Sequence, residues 1–289
     1  MNVTADFATQ VRAVMEAHWL PRGYTVPNAV TYPFAWLWDS CFHSLIWAEL
    51  GDDERALREL THVFRMQDET GFVPHIDYER DPTHLASFWG RDDASTITQP
   101  PVHGHVIAAL RRRGITVPDE LQARAEAHLG WFLRARRHPS GLIAITQPWE
   151  TGCDDSARFD HWGADDPAKW FEVKNAFVRE PDLLDCAPVS LSAIVAWSCR
   201  ELGLDDEGLA DALAQRWDGE RRTWIDAGAA EGTSGRIRTL EGLLPQLVDP
   251  RPEVVADLAD PDAYGAPFGP RGAHASEPSY DPTCYWRGP

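Results

Sequence analysis

Apolar residues recur at helical spacing through most of the chain, and the helices this implies come in pairs joined by only two or three polar residues. That pairing constrains the fold more than any other feature. An αα-hairpin cannot bury its apolar face alone, so it stacks on further hairpins. The spacing predicts helices over Ala5–His18, Leu37–Leu50, Asp53–Gln67, Pro101–Arg113 and Asp119–Arg136, then over Pro188–Leu202, Asp206–Trp217, Arg238–Val248 and Pro252–Leu258. Their ends are punctuated: Gly51, Gly114 and Gly203 follow three of them, Asp52 or Asp53 and Asp205-Asp206 offer caps, and the Pro100-Pro101 pair opens another. No run alternates in the manner of a half-buried strand. Hairpins open near Asp39, Gln99, Ala187 and Thr239, and Tyr285 would open the next. A step of roughly 50 residues marks an array. The expected architecture is all-α, an (α/α)6 toroid left incomplete at roughly four and a half hairpins, with residues 1–289 forming one domain.

Charge removes several function classes. The chain carries 27 Lys+Arg against 45 Asp+Glu, a formal charge of −18, and such a field repels nucleic-acid backbones and anionic membranes. No stretch approaches the roughly 18 apolar residues of a membrane span. The start, Met1 to Asp6, lacks the basic and apolar regions of a secretory signal. Five scattered cysteines without a C-x-x-C pair read as reduced thiols, which points to the cytoplasm. Phosphate-binding glycine loops and the G-x-S-x-G elbow are absent, so nucleotide enzymes and serine hydrolases have no support.

Thirteen tryptophans call for a reason. Indoles fill helical cores, and they also stack on the C–H faces of sugars. Trp36, Trp38, Trp149, Trp162 and Trp286 lie beside carboxylates in loop-like surroundings, which suits the second use. In Phe34-Ala35-Trp36-Leu37-Trp38-Asp39-Ser40, Asp39 reads either as a helix N-cap or as an acceptor for sugar hydroxyls between aromatic walls. In Trp149-Glu150-Thr151-Gly152-Cys153-Asp154-Asp155-Ser156, three carboxylates, an indole and a glycine share eight positions. This is either a solvated acidic turn or the seat of a carboxylic acid whose proton is held by neighbouring negative charge. Glycoside hydrolysis needs such an acid, together with a second carboxylate for water. Gln99-Pro100-Pro101 adds an amide side chain at a helix start. His103 and His105 do not share a helix face and no carboxylate completes a set, so no metal and no cofactor are expected.

These segments, taken in order, resemble the catalytic domain of glycoside hydrolase family 63, and most of all its mannosylglycerate/glucosylglycerate branch. Residues about 30 to 289 carry the resemblance, through Trp36-x-Trp38-Asp39-Ser40-x-Phe42-His43, Gly71-Phe72-Val73-Pro74-His75, Gln99-Pro100-Pro101, the Trp149–Ser156 segment and Tyr285-Trp286-Arg287-Gly288-Pro289. The resemblance implies an α/α toroid, an inverting mechanism and Asp154 as general acid. It also implies a glycosyl pocket lined by Tyr32, Trp36, Trp38, Asp39, Gln99, Trp149, Gly152, Tyr285 and Trp286. The expected partner is a small carbohydrate substrate, an α-glycosylated solute such as glucosylglycerate or mannosylglycerate.

In the family the late aromatic motif leads into further helices that carry a glutamate general base. Here the sequence stops at Pro289, so the expectation is a chain lacking that base and prone to self-association through exposed helix faces. Glu231, Glu241 and Glu277 can be imagined as substitutes, but nothing in the sequence supports any of them. Two other classes accommodate the same residues: a non-catalytic sugar-binding remnant, and a toroid-fold sugar epimerase working through histidines.

Overall fold

A computed structural model describes residues 3–78, 89–162 and 184–288. They cluster into two compact units, Met1–Trp131 with Glu201–Leu204 and Phe132–Arg200 with Asp205–Pro289.

In the first unit, α1 (Val3–His18) leads into a small antiparallel pair, β1 (Trp19–Leu20) with β2 (Tyr24–Thr25). A second pair, β3 (Ala35–Trp36) with β4 (Ile76–Asp77), sets Trp36 opposite Ile76 at the mouth of α2 (Leu37–Glu49). Helix α2 buries Leu37, Ser40, Cys41, Ser44, Trp47 and Ala48, a stripe of three- and four-residue steps that lies against α3 (Asp53–Val63). Gly51 takes the left-handed turn between them, and the Asp52 side chain accepts from the Arg55 amide at 3.0 Å to cap α3. Trp47 is fully buried, its Nε1–H donates to Thr25 Oγ1 at 3.1 Å, and the Arg55 guanidinium lies 4.5 Å from its ring. This tryptophan belongs to the core. Two further helices follow, α4 (His103–Arg112) and α5 (Asp119–Ala135).

The second unit holds α6 (Val189–Leu202), buried at every position from Val189 to Ala196 and so surrounded by protein on all sides. It follows β5 (Cys186–Ala187), which pairs with β8 (Ala227–Gly228). Between them come α7 (Leu209–Ala214) and the hairpin of β6 (Trp217–Asp218) with β7 (Thr223–Trp224). The helix expected over Asp206–Trp217 is shorter because Asp206 caps it through the Gly208 and Leu209 amides and Trp217 joins a strand. The helix expected over Arg238–Val248 is a 3-10 turn, Glu241–Leu247, with Pro245 inside it; proline has no amide to continue an α-ladder. The closing helix is α8 (Pro252–Ala259).

Candidate active site

Five of the expected pocket residues lie in the first unit. Leu37 N–H donates to His75 O at 2.9 Å and Trp38 N–H reaches Gln99 Oε1 at 3.4 Å, so the free amides that open α2 are met by groups distant in sequence. Asp39 is therefore not the N-cap: it stands inside the first turn, and Trp36 holds the cap position with no side-chain bond. Tyr32, half exposed, meets Trp36 edge-on at 5.5 Å, and Trp36 in turn meets His75 edge-on at 5.3 Å. The indole Nε1–H of Trp36 is buried without a hydrogen-bond partner. Trp38 packs on Phe42 at 5.9 Å. Burial holds His75 neutral, its pKa lowered to about 3. Its Nδ1 lies 2.5 Å from Ser95 Oγ, which itself donates to Ile97 O, so Nδ1 carries the proton and Nε2 keeps its lone pair.

The other four, together with Asp154, lie in the second unit. A 3-10 turn, Pro148–Thr151, is capped by the Gln147 side chain and ends at Gly152, whose φ of +73° is the left-handed conformation that glycine takes without strain. The three carboxylates of this segment have different fates. Glu150 is fully buried, gripped by Arg136 through two bonds of 2.9 and 2.8 Å and by the Thr146 amide at 2.8 Å. Asp155 faces Arg287 at 3.5 Å. Asp154 is exposed. The segment is thus neither a solvated turn throughout nor a cluster of free negative charges. Glu150 and Asp155 are each matched by an arginine.

Beneath the loop, Ser156 Oγ–H donates to the buried Glu241 carboxylate, whose pKa is raised by burial and partly restored by Arg158 and Ser156. Arg158, itself buried, donates to Asp226 Oδ1 and Trp224 O at 2.8 Å each and to Thr239 Oγ1 at 2.9 Å. Glu231 and Glu277, the other two acidic residues considered as a base, pair with Arg216 at 3.1 Å and Arg238 at 2.7 Å. Tyr285 is exposed, and Trp286 sits 4.9 Å from it with φ +69°. Trp149 is half-buried. The side chain of Trp162 and all of Pro289 lie outside the described residues.

His103 and His105 part company: His103 Nε2 lies 3.0 Å from His128 Nδ1, while His105 faces Glu201 at 3.3 Å. No cluster of three or more His, Cys, Asp or Glu suited to a metal occurs among the described residues, and no described helix is long and apolar enough to cross a membrane. Nothing in sequence spacing announces the Arg136–Glu150 or Arg158–Asp226 pairs, because guanidinium and carboxylate come from separate segments.

The model of the mannosylglycerate hydrolase MGH1-like glycoside hydrolase domain matches residues 32–202 and 200–289. A mannosylglycerate hydrolase of Rubrobacter radiotolerans is 34% identical over 174 residues, 54% of this chain and 39% of that protein. A glucosylglycerate hydrolase of Mycolicibacterium hassiacum is 30% identical over 182 residues, 53% of this chain and 41% of that protein. The matched stretches thus span about two-fifths of these relatives' lengths. The crystal structure of the GH63 mannosylglycerate hydrolase of Thermus thermophilus in complex with glucose superposes with a TM-score of 0.79 at 25% identity, covering 98% of this chain and 82% of that one. The fold class is therefore the (α/α)6 toroid type, helical with small two-stranded ladders. The chain belongs to the MGH1-like glycoside hydrolase domain family.

Proposed function

We propose that the protein hydrolyses the glycosidic bond of a small α-glycosylated glycerate, glucosyl or mannosyl, with Asp154 as general acid and inversion at the anomeric carbon. The Asp154 carboxyl gives its proton to the glycosidic oxygen as the C–O bond breaks and glycerate departs. Water adds to the opposite face of the sugar and loses a proton to a second carboxylate, which in the family is a glutamate on the helices that follow the late aromatic motif. The observation that supports the assignment is exposure: of the loop's three carboxylates Glu150 is buried and Asp155 half-buried, while Asp154 is open to a substrate.

Trp36, with a buried indole N–H and a flat ring edge-on to Tyr32 and His75, has the character of a sugar wall, and Asp39, clear of the cap position, serves as an acceptor for hydroxyls. An epimerase working through histidines has less in its favour. Burial lowers the pKa of His43 to about 4 and those of His75 and His103 to about 3, far from the neutral range in which a histidine base exchanges protons. Free cysteines suit a reducing compartment such as the cytoplasm.

The test is Asp154→Asn assayed on α-mannosylglycerate and α-glucosylglycerate. Turnover falls about 10²–10⁴-fold while binding of the substrate persists. Retention of more than about a tenth of the wild-type rate removes Asp154 as the acid.

A further inference from the structure

Arg287, the third residue of the late aromatic motif, makes four hydrogen-bonding contacts to the acid's loop and the turn that follows it. Its Nε–H donates to the Asp155 carbonyl at 3.0 Å. Nη1 and Nη2 meet the two oxygens of Asp160 at 3.0 and 2.6 Å, and Nη2 also faces Asp155 Oδ1 at 3.5 Å. A planar fork that meets a carboxylate side-on while a third N–H takes a backbone carbonyl is geometry that lysine cannot copy. The contact joins residues 127 and 132 positions apart and leaves the guanidinium mostly covered.

The turn that presents Arg287 is itself tightly determined. Trp286 is held in the left-handed region at φ +69°, unfavourable for a bulky side chain. Gly288 N–H donates to Cys284 O at 3.0 Å, and Gly288 O accepts from Gly272 N–H at 2.7 Å. On the other side of Asp154, the Glu150–Arg136 pair and the Gly152 turn fix the chain as it enters the loop. Ser156 and Arg158 fix it from two residues beyond.

We infer that Arg287 is a positioning residue for the general acid: by clamping the Asp155 carbonyl and the Asp160 carboxylate it holds the exposed Asp154 where its proton meets the glycosidic oxygen. This rests on the reading of Asp154 as the acid. A general acid must come within about 2.6–3.2 Å of the atom it protonates. A displacement of about 1 Å costs on the order of 10²-fold in rate.

The experiment compares the full-length protein with Arg287→Ala and Arg287→Lys on two substrates of the same sugar: the glycosylglycerate, and an aryl glycoside whose nitro-substituted leaving group departs without a proton. In both variants kcat on the glycosylglycerate falls about 10²-fold with KM little changed, while the aryl glycoside is cleaved at close to the wild-type rate. Asp160→Asn, which keeps the shape and removes the charge, moves the same way by a smaller factor. Hydrogen exchange read on the same variants shows faster exchange at residues 153–160 and unchanged exchange in α6. Equal losses on both substrates, or unchanged exchange at 153–160, overturn the inference. A wild-type protein that cleaves neither substrate overturns the hydrolase reading and the acid with it, an outcome recognisable because it appears before any substitution is made.

Discussion

Glu59 stands fully buried on α3 and accepts the Thr25 amide at 2.6 Å, and burial raises its pKa from 4.5 to about 8. The folded protein therefore binds a proton that the unfolded chain has lost between those two values. Stability from this group is complete below about 4.5 and falls as pH rises through about 8. Melting temperature followed across that interval declines in the wild type, and Glu59→Gln flattens the decline. An unchanged slope would contradict a buried, proton-holding Glu59. Glu150 is held differently, by the forked guanidinium of Arg136 in the interior. Removing one partner leaves the other buried and uncompensated, so Glu150→Gln lowers unfolding free energy by about 3–5 kcal/mol in denaturant titration. In sequence Glu150 and Asp154 are alike, two carboxylates four positions apart. What separates them is Arg136, reached only when the chain folds back, so the carboxylate cluster was legible in the sequence and the pairing within it was not. Asp39 presents the converse case, standing in the first turn of α2 and clear of the N-cap. Asp39→Ala weakens substrate binding with little loss of melting temperature; a large loss would restore a structural role.

Among the elements, α2 and α3 show why so many helices were readable. The apolar stripe of α2, the Gly51 turn and the Asp52 cap are all local signals, and the predicted bounds for α2 hold to within one residue. The failures have local causes of another kind. Pro245 converts an apolar stretch into a 3-10 turn, and the two-residue ladders, such as Trp36 with Ile76, depend on partners far along the chain and leave no alternating pattern. The start of α2 belongs to the same class, since its amides are met by His75 O and Gln99 Oε1. Gln99→Ala accordingly costs about 1 kcal/mol of stability, the usual loss on removing a cap, besides any effect on the sugar. Gly71 tests element packing directly. A Cβ there would lie 2.4 Å from Ala127 O on α5, at a φ of +98° that side chains rarely adopt. Gly71→Ala lowers stability by about 1–3 kcal/mol, checked by chemical denaturation.

At the scale of the whole molecule, a charge of −18 opposes the binding of a polyanion such as a nucleic-acid backbone, and the chain belongs to a glycoside hydrolase domain family. The proposed reaction is inverting hydrolysis of a glycosylglycerate through Asp154. Proton NMR of the reaction as it runs tests it most directly, because the anomer released first reports the face that water attacks. The expected result is that the β-anomer of the free sugar appears first from the α-glycoside, with the α-anomer growing in only by mutarotation, and that Asp154→Asn abolishes both signals. First appearance of the α-anomer, or equal release by the Asp154→Asn protein, would contradict it.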